Sequence, residues 1–284
     1  MKVVLAGAYG KLGSEILKEL VRTGHEVLAC DMVQHEVLGV DEKKIKFVKI
    51  NVMQPETLIG ICNGADVVIS TVGLTTTSTI SNYEIDYKGN LNILEEAKKA
   101  QVKHFVYISV IKANEAEDVP MVNAKFLFEN ALKASGLDYV IHRPTGYFYD
   151  IVKVFKPMIE KGSVSLLGKK SVSCNVVHTP DFAHFIVETM LEKNVTYNVG
   201  GKETYTYEEI ARMCFEAAGK KAVIKRAPVW LFSILANLPK NKKNGKWAII
   251  RFSKFTLTND LVGDTKVGES SFKNYIFESF KKEE

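Results

Sequence analysis

Three glycines, Gly7, Gly10 and Gly13, form a G-x-x-G-x-x-G run, and an acid, Asp31, stands eighteen residues after the last of them. Glycine at this spacing lets backbone amides come close to an anionic group and lets a helix pack tightly on the strand before it. The start of that helix adds free N–H groups and the positive end of a helix dipole, so the chemistry on offer is the binding of a pyrophosphate. An acid at the tip of the following strand accepts hydrogen bonds from ribose hydroxyls and repels a 2′-phosphate. Together these features predict a dinucleotide site, with NAD(H) favoured and NADP(H) the remaining alternative. The expected contacts begin with Gly7, Tyr9, Gly10, Lys11 and Leu12 in the turn, and with Asp31 and Met32 at the strand tip.

The elements that must hold these residues are legible around them. Val3 to Ala6 is a short apolar run, Leu12, Ile16, Leu17, Leu20 and Val21 recur at helical steps, Gly24 stops the helix, and Val27 to Ala29 leads a second strand to Asp31. Further apolar runs at 45–50, 67–69, 105–108 and 139–141 alternate with helical patterns. Strands apolar on both faces and separated by helices predict an α/β fold, a Rossmann-type doubly wound parallel sheet. Ligands of such sheets sit at the C-terminal strand ends. Asn51, Val52, Thr71, Val72, Gly73, Ser109, Pro144 and Thr145 occupy those ends and complete the expected cofactor contacts. Ser109 and Tyr147 stand there as candidates for proton transfer, with Tyr83, Tyr87 and Tyr149 behind them. His142, inside a strand, reads as a core histidine. His178 and His184 are spaced for neither one helix face nor a metal pair, so no metal is expected.

Beyond residue 150 the alternation breaks. Strand fragments at 164–167, 175–177 and 196–199, with helices at 180–192 and 207–218, predict a smaller mixed α+β region that covers the substrate. The expected division is a dinucleotide-binding core over 1–150 and a covering region over 151–284, integrated with the core because no Pro/Gly/Ser linker separates them. Between 228 and 255, apolar anchors such as Trp230, Leu231, Ile234, Trp247 and Phe255 alternate with Lys240, Lys242, Lys243, Lys246, Arg251 and Lys254. Two amphipathic helices joined by a basic loop fit this pattern. A substrate lid ranks first among their roles, packing or a dimer contact second, and a membrane surface third.

The chain has 284 residues and a formal net charge of +5, which requires no nucleic-acid partner. The charge is uneven: from Lys220 onward there are 14 Lys or Arg against 6 Asp or Glu. The four cysteines are far apart and form no C-x-x-C pattern. With a core strand beginning directly after Met1, they suggest a cytoplasmic protein. The expected partner is a small-molecule substrate, and the expected state a homodimer or monomer.

The residues also resemble a known group, the extended and atypical branch of the short-chain dehydrogenase/reductase superfamily. The resemblance rests on the glycine turn and on Tyr87-Lys88-Gly89-Asn90-Leu91-Asn92-Ile93-Leu94, Val102 to Ser109, Ser135 to Tyr139, Arg143-Pro144, Asn198 to Gly201, and Thr206 to Ile210. Asn123-Ala124-Lys125-Phe126 and Arg143 to Phe148 look most like NmrA-like proteins and divinyl-chlorophyllide reductases. The resemblance implies that Lys125 holds the nicotinamide ribose. In the superfamily's Tyr-x-x-x-Lys motif, however, this chain has Met121 where the tyrosine general acid stands, and a thioether transfers no proton. Two functions are therefore expected. The first is an NAD(P)H-dependent reductase or dehydrogenase for a small, largely apolar substrate, with Lys125, Ser109 and Tyr147 as its catalytic candidates. The second is a non-catalytic, NmrA-like dinucleotide-binding sensor or assembly factor.

Overall fold

The computed structural model describes residues 1–74, 80–239 and 246–281, except for the side chain of residue 42. Most of the Thr/Ser-rich stretch and Lys240, Lys242 and Lys243 of the basic loop lie outside the described residues. Two compact units share the chain.

The first unit comprises residues 1–74, 80–143 and 182–197. Its strands are β1 (Lys2–Ala6), β2 (Glu26–Asp31), β3 (Ile45–Lys49), β4 (Val67–Ser70), β5 (His104–Ile108) and β6 (Asp138–Pro144), ordered β3-β2-β1-β4-β5-β6. Every pair among them is parallel. Ala6 stands opposite both Cys30 and Ser70, and Ser70 opposite Tyr107. This register delivers Gly7, Asp31, Thr71 and Ser109 along one sheet edge. The helices α1 (Lys11–Arg22), α2 (Asn90–Lys99) and α3 (Pro120–Lys133) connect these strands. Ile16, Leu17 and Leu20 of α1 are fully buried, each stabilising the fold by about 2 kcal/mol. Ahead of α2 the chain winds as a seven-residue π-helical segment, Tyr83–Gly89. A Cβ at Gly89 would lie 2.6 Å from Val52 Cγ2, so glycine is required where this segment packs on the loop after β3.

The two units interleave along the chain. β6 passes into the second unit after Arg143, and residues 182–197 belong to the first. The physical reason is an aromatic cluster: the buried His142 ring of β6 meets Phe182 and Phe185 edge-on and stacks on Tyr197 at 5.7 Å. Phe182 and Phe185 lie on α5 (Thr179–Thr189), and Tyr197 on β9 (Val195–Gly201).

The second unit holds Pro144–Asp181 and the described chain from Asn198 onward. It contains α4 (Phe148–Glu160), β7 (Val164–Leu167), β8 (Ser173–Cys174), β10 (Tyr205–Thr206), α6 (Tyr207–Ala217), β11 (Ile224–Ala227), α7 (Val229–Asn237), α8 (Lys246–Thr258), β12 (Thr265–Val267) and α9 (Phe272–Lys281). β7 pairs with β11, β8 with β10, and the end of β9 with β12. Thr206 and Glu209 form a capping box that starts α6. The strand expected at 175–177 is reduced to β8 and one bridge from Val177 to Tyr147. Asn175 explains the interruption. Fully buried, its amide donates to the Gly201 and Gly263 carbonyls and its Oδ1 accepts from the Gly263 amide at 2.8 Å. Strands β10, β11 and β12 are too short to carry a clear periodic signal, whereas α9 carries one, in Phe272, Tyr275, Ile276 and Phe280, that the sequence reading passed over.

Candidate functional site

The glycine turn takes the geometry its spacing predicts. Gly7 has φ of 81°, a left-handed conformation that favours glycine. Its amide donates to the Cys30 carbonyl at 2.8 Å, tying the turn to β2. A Cβ at Gly7 would sit 2.5 Å from Thr71 Oγ1, and one at Gly13 would sit 2.0 Å from the Gly7 carbonyl oxygen. The first and third glycines are thus forced by close approach, while Gly10 meets nothing nearer than 3.4 Å. Gly10 caps α1 without a side-chain hydrogen bond, and the first turn carries no acid. Its amides and dipole remain suited to an anion. Lys11 and Leu12 open that turn. These features fit a dinucleotide pyrophosphate.

Asp31 ends β2 and is itself held: Oδ2 accepts from the Tyr9 amide at 2.9 Å and Oδ1 from the Met32 amide at 2.7 Å. The carboxylate is fixed beside the turn, with further lone pairs for ribose hydroxyls. Tyr9 meets Phe47 and His35 edge-on. Together with Leu17, Gln34, Val37, Val40 and Ile45, Tyr9 and His35 line a pocket of about 130 Å³. From Asp31 to Glu42 the chain carries no Lys or Arg. Asn51 and Val52 follow β3, where Thr57 Oγ1 accepts from the Asn51 amide and Asn92 Nδ2 donates to the Val52 carbonyl.

Lys125 lies on α3 with only 14% of its side chain exposed. Its Nζ is 3.3 Å from Oδ1 of Asp86, which is fully buried, and donates to the Ile108 carbonyl at 3.2 Å. It also stands 5.4 Å from the centre of the Tyr107 ring. A Cβ at Gly73 would meet Asp86 Oδ1 at 2.8 Å and Lys125 Nζ at 3.0 Å, so the pair lies directly against the backbone after β4. Asp86 belongs to the π-helical segment, and its Oδ2 accepts from the Leu74 amide and from Asn82. Val72 and Asn90 complete this wall, Asn90 Nδ2 donating to the Val72 carbonyl and Ser70 Oγ to Asn90 Oδ1. The sequence reading missed Asp86. Its available signal was an acid directly before the Tyr87-to-Leu94 phrase, on a segment packed against α3.

Ser109 is buried, and its hydroxyl donates to Glu129 Oε1 at 2.5 Å. Arg143 grips the same buried carboxylate through Nε and Nη2. Glu129 and Arg143 were likewise missed, because their charges meet only in the fold. Tyr83 accepts from Asn123 Nδ2 at 3.0 Å. Tyr107 is wholly buried; desolvation pushes its phenol well above the usual range, and its hydroxyl has no partner among the described residues.

The remaining candidates lie in the second unit. Thr145 is buried, its hydroxyl donating to the Asn175 carbonyl and its amide to Val199. Pro144 precedes it as the buried end of β6. Tyr147 stacks on Tyr149 at 5.4 Å. Burial, with Tyr149 and Asp150 nearby, raises its phenol well above the ordinary tyrosine value.

A family model described as NAD(P)H-binding matches residues 7–193. The chain belongs to this NAD(P)H-binding family. Among its relatives, the photosystem II assembly factor Ycf39 of Synechocystis is 28% identical over 233 residues, covering 81% of this chain and 71% of the relative. The divinyl chlorophyllide a 8-vinyl-reductase of Arabidopsis thaliana is 25% identical and covers 81% of this chain, which spans 60% of that longer protein. This relative bears out the branch expected from the residues. A solved NADPH-dependent quinone oxidoreductase of Escherichia coli, complexed with NADPH, shares the fold at TM-score 0.73 and 16% identity, covering 99% of this chain and all of that one. In this NAD(P)H-binding protein the glycine turn, Asp31 and the Asp86–Lys125 wall all lie in the first unit.

Proposed function

We propose that the protein is an NAD(H)-favouring oxidoreductase acting on a small, largely apolar acceptor without a tyrosine general acid. One arrangement carries this reading: Lys125 of α3, its ammonium fixed between Asp86 and the Ile108 carbonyl at the end of β5. An ammonium held there serves to bind ribose hydroxyls, a role that favours an ordered nicotinamide over a merely tethered one. A bound reduced nicotinamide supplies a hydride equivalent to an acceptor. Met121 supplies no proton, so the acceptor is one whose reduced anion is delocalised enough to be protonated by solvent. Quinones and conjugated vinyl groups meet that condition. The names of the E. coli quinone oxidoreductase and the Arabidopsis vinyl-reductase agree with this class.

The test is to follow the absorbance of NADH with purified protein and a panel of quinones and conjugated vinyl compounds. Oxidation that requires both protein and acceptor is the expected result. Bound NADH that no acceptor oxidises would overturn the enzyme reading. It would favour a non-catalytic assembly or sensing role, which Met121 and the Ycf39 relatives support.

A further inference from the structure

Helix α7 carries no charged residue, yet one side of it faces water. Trp230 is 63% exposed, Ile234 51%, Leu238 43% and Leu231 36%. Their spacing, i, i+1, i+4 and i+8, places Trp230, Leu231 and Ile234 with the flanking Leu238 on one narrow stripe. Only Ala236 of this helix is fully withdrawn, where α7 packs on α8. On α8 Phe255 is buried, and the Arg251 guanidinium lies 5.5 Å over the Trp247 ring. From Pro228 to Asn259 there is no Asp or Glu, against five Lys and one Arg. Packing within the described chain leaves this stripe open.

We propose that helices α7 and α8 dock the protein on an anionic lipid surface. The stripe supplies apolar anchors of the depth that the headgroup boundary accepts, with tryptophan at the interface. The cations of the neighbouring α8, Lys246, Arg251 and Lys254, with no acid on either helix, complement the negative charge of the lipid. At nine residues α7 extends about 14 Å, far short of a bilayer core, so it lies in the plane of the interface. Among the described residues no helix is long and apolar enough to cross a membrane. The charge complementarity selects lipid over a second copy of the chain, whose matching surface would bring the same cations together.

The chain's two tryptophans, Trp230 and Trp247, both lie in these helices, so intrinsic fluorescence reports on them without a label. Vesicles containing phosphatidylglycerol are expected to shift the emission to the blue and to carry the protein down on sedimentation, whereas pure phosphatidylcholine vesicles do neither. Ile234→Asp, on the exposed stripe, abolishes the shift while dinucleotide binding and circular dichroism stay unchanged. Reversing the charges of Lys246 and Lys254 on α8 weakens partitioning by at least about tenfold. Three results would overturn the proposal: no shift with anionic vesicles, equal binding to both vesicle types, or self-association abolished by Ile234→Asp without any vesicle binding.

Discussion

Asp86 and Lys125 form a buried ion pair at 3.3 Å, the carboxylate fully enclosed and the lysine side chain 14% exposed. The two are unequal partners. Lys125 keeps the Ile108 carbonyl when its acid is lost, whereas Asp86 without Lys125 keeps its bonds from Leu74 and Asn82 but becomes a buried carboxylate with its charge uncompensated. Breaking such a pair from one side costs about 3–5 kcal/mol, most of it for the uncompensated charge. Lys125→Met is therefore expected to destabilise by about that amount, and Asp86→Asn by less, since the amide still accepts from the Leu74 N–H. The double variant should recover much of the Lys125→Met loss. Urea unfolding of all four proteins measures the coupling, and simple additivity would contradict the pairing. Lys125→Met is also expected to weaken NADH binding.

The three glycines of the turn are not equivalent. A methyl at Gly13 collides with the Gly7 carbonyl at 2.0 Å and with Ala8 C at 2.9 Å, and backbone cannot step aside as a side chain does. Gly13→Ala must push α1 off β1, displacing the amides that face the pyrophosphate. Gly10→Ala meets only one atom, at 3.4 Å. The expected outcome is loss of dinucleotide binding, with at least about 2 kcal/mol of destabilisation, in Gly13→Ala, against a minor change in Gly10→Ala. Calorimetric titration with NADH and thermal unfolding compare the two.

This contrast shows what the chain makes legible. The turn, α1 and Asp31 are contiguous, and glycine types report backbone shape directly, so that part of the site can be read from thirty residues. The Asp86–Lys125 and Glu129–Arg143 pairs join residues on separate elements. In the sequence Asp86 looks like one polar position on a helix, and nothing announces that its segment winds as a π-helix toward α3. Ser109 was legible as an edge residue, but its bond to Glu129 was not, because Glu129 lies in an ordinary amphipathic pattern. In the second unit the two-residue strands β8 and β10 are held through the buried Asn175 clamp and pairing across the chain, which local periodicity does not encode.

Asp31 sets the expected cofactor preference. Its carboxylate is pinned by the Tyr9 and Met32 amides and cannot swing away from a 2′-phosphate. The following loop offers no Lys or Arg to neutralise one. NADH is expected to bind at least tenfold more tightly than NADPH, about 1.4 kcal/mol, and Asp31→Ala to reduce that ratio toward one. Fluorescence titration with both dinucleotides decides it. Equal affinities in the unaltered protein, or a ratio unchanged by the substitution, would exclude this role for Asp31.

His142 gives the fold a pH dependence. The ring is fully buried against Phe182, Phe185 and Tyr197, and desolvation lowers its pKa to about 3. Its Nε2 lies 3.4 Å from Thr189 Oγ1, and Nδ1 has no partner among the described residues. In the unfolded chain the imidazole takes up a proton near pH 6.5, whereas in the folded protein it stays neutral down to about pH 3. Between these values the unfolded state binds more protons, so stability present above pH 6.5 is lost as the pH falls, at up to about 1.4 kcal/mol per pH unit. His142→Gln removes this contribution whatever its own effect on packing. From pH 7 to pH 5 the unaltered protein should therefore lose about 2 kcal/mol more than the variant does, read from urea unfolding at each pH. Parallel pH profiles for the two proteins would show that the buried ring is not the group that makes the first unit acid-sensitive.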